Sequence, residues 1–310
     1  MNFKNFYIIT KTPLRVSFFG GGTDIPKFYN KIYGEVISTT INRYVYVSIK
    51  SHDQLFKDDY RLNYSITEHV NGLKNIKNNL IRSCMQYLNI KQRMEINISS
   101  DIPASSGLGA SSSILVGLLK ALHIYKNKKI TKKELAEMAS KIEINILKNP
   151  IGKQDQYAAT FGGFRSYKFF RGNKVEVKES KIILNQQMKE IPNKIKHYKN
   201  LLSLVSFSKL LIQKKGFNLK QFGELLNKNW LLKKQLSNNI TNSKIDKLYA
   251  DCLKIGAIGG KVLGAGSGGF LFLVIKKDKK KKLIQKLKSK KIYYFLNSTK
   301  GVEVIHKNFY

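Results

Sequence analysis

Acidic residues are scarce in this 310-residue chain: 20 Asp and Glu stand against 56 Lys and Arg, a formal net charge of +36. Cysteine is nearly missing. Cys84 and Cys252 lie far apart in helix-like apolar patterns, which argues against a disulfide framework or a zinc site and for free core thiols in a reducing compartment. No apolar run is long enough to span a bilayer, so membrane insertion is not expected. The opening residues Met1–Lys11 carry neither a long hydrophobic region nor a small-residue cleavage site, so no secretory signal is expected either. His52, His69, His123, His197 and His306 show no ligand spacing. What remains is a globular composition, 42% hydrophobic, long enough for one large or two medium domains with a sizeable core.

The cationic surplus could mark a polyanion partner. The lysines, however, are spread along the chain rather than gathered in one stripe. The densest run, Lys276–Lys282, is broken by Asp278 and leads into a short helix where lysines are solvated. The surplus therefore reads as a composition bias, nucleic acid is not the expected partner, and phosphorylated small molecules are natural ligands.

The most informative stretch is Asp101–Ser113, DIPASSGLGASSS. An alternating strand-like run, Met94–Ser99, precedes it and an apolar helix-like run, Ile114–Ile124, follows. Gly107 and Gly109 can take backbone angles that a Cβ forbids. Ser111, Ser112 and Ser113 stand at a helix start, where unpaired N–H groups favour an anion. This is the chemistry of a phosphate cradle, without the Gly-Lys-Ser/Thr of a Walker loop. Taken alone it is equally an ordinary serine-capped turn.

Strands are expected at Ile8–Phe19, Glu35–Ile49, Tyr60–Tyr64 and Phe164–Phe170, the last paired with Lys174–Lys178. Asn75–Leu88 has helical spacing. Thr131–Glu134 fits a capping box opening a helix with Leu135, Met138, Ala139, Ile142 and Ile146 on its apolar face; Asn149-Pro150 ends it. Three helices follow, Ile191–Lys214, Leu219–Leu236 and Asn242–Lys254. Late strands are expected at Gly260–Leu263, Phe270–Ile275, Ile292–Leu296 and Val302–His306, with a helix at Lys279–Lys288.

Three small-residue loops, Gly20–Asp24, Asp101–Ser113 and Gly264–Gly269, resemble in order and spacing the three motifs of the GHMP small-molecule kinases. Within that superfamily the strings PLRVSFFGGGTD and GKQDQYAATFGGF, with Asn239–Asn242, are similar to those of the D-glycero-D-manno-heptose 7-phosphate kinases. The resemblance covers nearly the whole chain. It implies an α+β fold, with a half like domain 2 of ribosomal protein S5 (residues 1–185, nucleotide-binding) and a ferredoxin-like half (residues 186–310). It implies ATP and Mg²⁺ as cofactors, a sugar phosphate as partner and a cytoplasmic enzyme; a homodimer is left open.

The site residues follow from the same resemblance. Pro103, Ser105, Ser106, Gly107, Leu108, Gly109, Ala110, Ser111 and Ser112 would cradle the nucleotide. Ser111 and Glu143 would hold Mg²⁺, whose preference for oxygen ligands they suit. Asp155 would take or orient the acceptor proton, with Lys153 steadying charge beside it and Arg15 offering a planar fork. Gly21, Gly22, Thr23 and Asp24, with Gly264, Ala265, Gly266 and Gly268, would face the acceptor. The implied reaction is phosphorylation of the anomeric hydroxyl of heptose 7-phosphate for a surface glycan. Alternatives are a fucose- or galactose-type kinase, a non-catalytic relative, or an RNA-binding protein.

Singly, these residues carry plainer readings. Glu143 alone is a solvated helix carboxylate, Asp155 an N-cap, and Arg15 a strand residue paired to an acid. Trp230 with Leu225, Leu226 and Leu232 is core rather than a stacking platform. The chain departs from the family pattern at Ala110, where a serine is usual, at Leu263, where a small hydroxyl residue is usual, and around Ile182–Gln186, where the family has a well-developed strand.

Overall fold

The two long β-rich runs become two long strands, β1 (Phe6–Phe19) and β2 (Gly34–Ser51), joined through the glycine turn and a short helix α1 (Pro26–Tyr29). The structure, a computed structural model, describes residues 5–179, 194–213, 218–236, 240–264, 266, 268–287, 292 and 298–309. Next come β3 (Tyr60–Asn63), β4 (Thr67–Val70), α2 (Asn79–Tyr87), β5 (Met94–Ser100), α3 (Ala110–Tyr125) and α4 (Lys132–Ser140). A π-helical turn, Lys141–Ile146, continues α4. Then follow α5 (Gln154–Phe161), β6 (Phe164–Phe169), β7 (Val175–Glu179), α6 (Lys194–Gln213), α7 (Leu219–Lys234), α8 (Ser243–Ile255), β8 (Ala257–Val262), β9 (Leu271–Ile275), α9 (Lys280–Lys286) and β10 (Glu303–Phe309).

Strands β10-β1-β2-β5-β3-β4 lie side by side in a mixed sheet, and β6 with β7 extends it along the first half of β2. The length of β2 makes this possible: Gly34–Thr39 pairs with β6 and Val45–Ser51 with β5. Among the described residues only β3 and β5 run parallel. Helix α3 packs across β1 and β2, and its apolar residues Leu115, Val116, Leu118, Leu119 and Leu122 are buried. The α+β class is as expected.

Two expectations change. Ile146 is exposed although Ile142 is buried, because the π turn inserts a residue and rotates the helix face after Lys141. The strand near residue 302, assigned to the C-terminal half, pairs with β1 at the edge of the N-terminal sheet. The described C-terminal sheet is the antiparallel pair β8–β9, covered by α7 and α8. The region Ile182–Gln186 lies outside the described residues, as does Ile292–Leu296 apart from Ile292.

The halves share one core. Phe18 of β1 meets Phe222 of α7 and Phe272 of β9 edge-on, with ring centroids 5.7 and 5.6 Å apart. Leu204, Val205, Leu226 and Leu263 are buried in the same cluster as Leu14 and Leu115. Trp230 is fully buried with Tyr249 and Val262, as a core tryptophan should be. Cys84 and Cys252 are buried free thiols.

Candidate active site

Strand β1 breaks register with β2 between Pro13 and Arg15. The freed N–H of Arg15 donates instead to the Leu108 carbonyl, 3.0 Å away in the Asp101–Ser113 loop. The Arg15 side chain, 5% exposed, follows it inward. Its Nε and Nη2 donate to Oδ1 and Oδ2 of Asp155 at 2.7 and 2.6 Å, and Nη1 donates to the Gly107 carbonyl at 2.6 Å. One guanidinium thus ties the end of motif two to Asp155, which sits in the first turn of α5.

Helix α3 starts on Gly109 in the left-handed region, so no side chain caps it and its first N–H groups remain available. Gly107 is left-handed too, at φ +76°, and a Cβ there would fall 2.5 Å from the Leu263 carbonyl oxygen. A Cβ on Gly264 would meet the Gly107 Cα at 2.5 Å, and one on Gly269 the Ser106 carbonyl at 2.7 Å. Loops two and three therefore touch backbone to backbone, which only glycine allows. Ser105 takes a left-handed conformation without being glycine, and the Ser106 hydroxyl is buried with no hydrogen-bond partner among the described residues. Leu108 is a core side chain, so its contribution to the loop is main chain. Pro103 and Ser105 are exposed at the loop's rim, while Ala110 begins α3.

The π turn carries Glu143 inward to 1% exposure. Ser111 and Ser112 hydroxyls donate to its Oε1 and Oε2, each at 2.7 Å, and the Gln156 amide donates to Oε2 at 2.7 Å. Burial raises the Glu143 pKa against these three hydrogen bonds, and the charge of Asp155 adds to the rise. Ser113 is used differently: its hydroxyl donates to the Pro13 carbonyl at 3.0 Å. Among the described residues no group of three or more His, Cys, Asp or Glu converges as a metal cluster. A Mg²⁺ ion therefore fits only as an ion held by the Ser111 hydroxyl and Glu143 together with nucleotide oxygens, and the hard oxygen donors present suit it.

In motif one, Gly22 N–H donates to Asp24 Oδ1 at 2.9 Å and Gln154 N–H to Oδ2 at 3.1 Å. Gly152 is pressed so close to Asp24 that a Cβ would collide with its carboxylate. Burial, then the neighbouring Asp155, raises the Asp24 pKa. Gly21 and Gly22 are half-buried beside it. Thr23 does not present its hydroxyl to a ligand as expected. It is fully buried, donating to Gly20 O at 2.8 Å and accepting from Glu35 N at 3.0 Å, and so locks the turn to β2. Lys153 is buried, with its ammonium over the Tyr29 ring, 5.7 Å from the centroid; burial lowers its pKa and the charge of Glu137 opposes the fall. Gly264 and Gly266 are half-buried and Gly268 is exposed, while Ala265 lies outside the described residues.

Sequence reasoning missed three participants, Gln156, Lys233 and Lys261. Gln156 completes the shell of Glu143 together with Ser112, which the sequence placed in the nucleotide cradle. Lys233 of α7, buried, donates from Nζ to the Gly264 carbonyl, and Lys261 of β8, also buried, donates to the Phe18 carbonyl at 3.1 Å. Burial and the nearby Arg15 push the Lys233 pKa down to about 8, with Asp24 opposing. Lys261 is held well below its ordinary value by burial and by Lys233 and Arg15. A lysine inside the apolar strand Ala257–Val262, next to a glycine loop, was the available signal for Lys261. Lys233 sits beside Lys234 in a helix tail, where both read as solvated.

The chain matches the family described as GHMP kinases N terminal domain over residues 77–163 and that described as GHMP kinases C terminal over residues 209–292. It is 31% identical to a D-glycero-alpha-D-manno-heptose 7-phosphate kinase from Campylobacter jejuni, over 92% of this chain and 94% of that one. It is 28% identical to a mevalonate kinase from Methanocaldococcus jannaschii, over 93% and 98% of the two chains. Among solved structures, a D-glycero-D-manno-heptose 1-phosphate kinase from Bacteriodes thetaiotaomicron superposes with a TM-score of 0.79 at 23% identity, covering 96% of this chain and 99% of that one, a likeness of fold. With both family regions matched in order and a relative at that identity along nearly its whole length, the chain belongs to the GHMP kinases.

Proposed function

We propose that this GHMP kinase phosphorylates the anomeric hydroxyl of D-glycero-D-manno-heptose 7-phosphate, using ATP and Mg²⁺, in the cytoplasm, on the way to a nucleotide-activated heptose for a surface polysaccharide. The observation that carries the reading is the convergence of Asp155 and Arg15 on Gly107, between the open N-terminus of α3 and the Gly20–Asp24 turn. The similarity to a heptose 7-phosphate kinase supports the choice of acceptor. Residues 1–185 would supply the nucleotide side and residues 186–310 the Gly264–Gly269 loop, with β10 returning to the first half.

The chemistry then divides among named groups. The N–H groups at the start of α3 and the Gly107–Gly109 backbone hold nucleotide phosphates. Ser111 and Glu143 hold the metal, which when bound neutralises phosphate charge. Asp155 accepts the proton of the acceptor hydroxyl as its oxygen attacks the terminal phosphorus. Arg15 fixes the Asp155 carboxylate in plane and offers positive charge to the transferring group. Asp24, within the field of Asp155, accepts hydrogen bonds from the sugar.

The test is ADP release by the purified protein. It should require both Mg²⁺ and heptose 7-phosphate, and Asp155→Ala should abolish it. Turnover of fucose or galactose in preference would replace the acceptor. ATP binding without turnover on any hexose or heptose phosphate would make the chain a non-catalytic relative, and a steep salt dependence of RNA affinity would favour the nucleic-acid reading.

A further inference from the structure

Three buried cations lie within one another's fields: Arg15 acts on Lys233, and both act on Lys261. Arg15 is one, and it is committed to Asp155 by two hydrogen bonds. The others are Lys233 and Lys261, which approach from α7 and β8. Among the described residues their ammonium groups find only main-chain carbonyls, Gly264 O for Lys233 and Phe18 O for Lys261. The carboxylates at hand are engaged, Asp155 by Arg15 and Asp24 by the N–H groups of Gly22 and Gln154.

A buried ammonium that is bonded only to a carbonyl, with its nearest carboxylate hydrogen-bonded elsewhere, is unfavourable and persists where a ligand supplies further negative charge. Neighbouring Lys234 shows the contrast: it is more exposed and pairs with Asp246 at 3.1 Å. Position argues against the nucleotide as the ligand. Phosphates of ATP have the α3 N-terminus and Gly107–Gly109, whereas Lys233 donates to Gly264 and lies within the field of Asp24, both of which the kinase reading assigns to the acceptor.

Resting on the kinase reading above, we infer that Lys233, backed by Lys261, binds a phosphate monoester carried by the acceptor, and so selects phosphorylated over neutral sugars. The groups facing Lys233 are Arg15, Asp24 and Lys261. A bound dianion keeps Lys233 protonated, so acceptor affinity falls once the pH passes the value of about 8 set in its absence.

The test compares Lys233→Met and Lys233→Arg with the unaltered enzyme, using heptose 7-phosphate and unphosphorylated heptose as acceptors. The ratio of kcat/KM for the two acceptors should fall about 100-fold in Lys233→Met and within about tenfold in Lys233→Arg, while KM for ATP stays within about threefold. KM for heptose 7-phosphate should rise above about pH 8 in the unaltered enzyme and not in Lys233→Arg. An unchanged ratio in a folded Lys233→Met protein overturns the inference, as does a parallel rise in KM for ATP. A second readout separates this site from the proposed reaction. Calorimetric binding of inorganic phosphate, with ADP and Mg²⁺ filling the nucleotide site, should be saturable and lost in Lys233→Met. If no sugar turns over and this binding is seen, the anion site stands and the reaction falls. If the kinase works and phosphate binds the variant equally well, the anion site falls and the reaction stands.

Discussion

Arg15 and Asp155, 140 residues apart in sequence, meet through two parallel hydrogen bonds of 2.7 and 2.6 Å. Such a fork fixes a carboxylate in plane as well as in position. The same arginine holds the Gly107 carbonyl, so the residue proposed to take the acceptor proton and the loop proposed to hold the nucleotide share one anchor. Main chain and side chain of Arg15 reach the same loop, since its N–H donates to the Leu108 carbonyl at 3.0 Å.

Asp155→Asn keeps the shape and removes the basic carboxylate. We expect kcat to fall by about 10³-fold or more, with ATP affinity within about threefold. Single-turnover measurement of ADP release checks this; a kcat within tenfold of the parent would exclude Asp155 as the base.

Glu143→Gln keeps the size of the side chain: its amide oxygen can still accept from Ser111, while the NH2 that replaces Oε2 requires the Ser112 hydroxyl and the Gln156 amide to turn acceptors toward it. The Mg²⁺ concentration for half-maximal activity should rise about 10- to 100-fold. A titration at saturating ATP reads it directly, and an unshifted curve would remove Glu143 from the metal site.

Gly107→Ala and Gly172→Ala form a matched pair. Both glycines are left-handed, at φ +76° and +75°, but a Cβ on Gly107 meets the Leu263 carbonyl while one on Gly172 meets nothing within 4 Å. Each should lose about 1 kcal/mol to backbone strain. Only Gly107→Ala should also raise the KM for ATP tenfold or more, by parting loops two and three. Equal effects would mean that the loops do not need their close approach.

The buried Lys233 makes stability depend on alkaline pH. Its folded pKa of about 8 lies below the ordinary value of 10.5, so the unfolded chain binds more protons between those limits. The cost of burying the charge is full below pH 8 and disappears as the pH rises toward 10.5. Denaturant unfolding should therefore show the parent gaining about 2–3 kcal/mol relative to Lys233→Met across that window. A flat difference would mean that Lys233 is not a buried charge.

Strand β10 pairs with β1 from Phe6 to Lys11. A chain cut back to residues 1–300 should expose that edge and aggregate or melt well below the parent, read by light scattering during a thermal ramp. A stable monomer of unchanged Tm would show β10 to be dispensable.

Much of this was legible in the residues. The capping box at Thr131 forms as its spacing requires, with Thr131 and Glu134 bonding reciprocally. The glycine pairs mark the approach of loops because a missing Cβ has few other uses. Adjacency in a motif does not determine which way a side chain turns. Thr23 points into the turn under β2, and Lys153 lies over Tyr29. Ser112 was placed in the nucleotide cradle, yet it shares Glu143 with Ser111, because the π turn brings both carboxylate oxygens to the start of α3.

The sequence by itself placed the three small-residue loops in order and most of the strands and helices, since glycine geometry and the period of apolar residues are local properties, while Arg15, Glu143 and Asp155 were singled out through the family resemblance. Only the tertiary structure decided which loops touch, where the last strand pairs, and that Lys233 and Lys261 leave solvent. Burial depends on what other segments bring to the same place: Lys233 reads locally like its more exposed neighbour Lys234, and only the apolar strand around Lys261 hints that this lysine is enclosed.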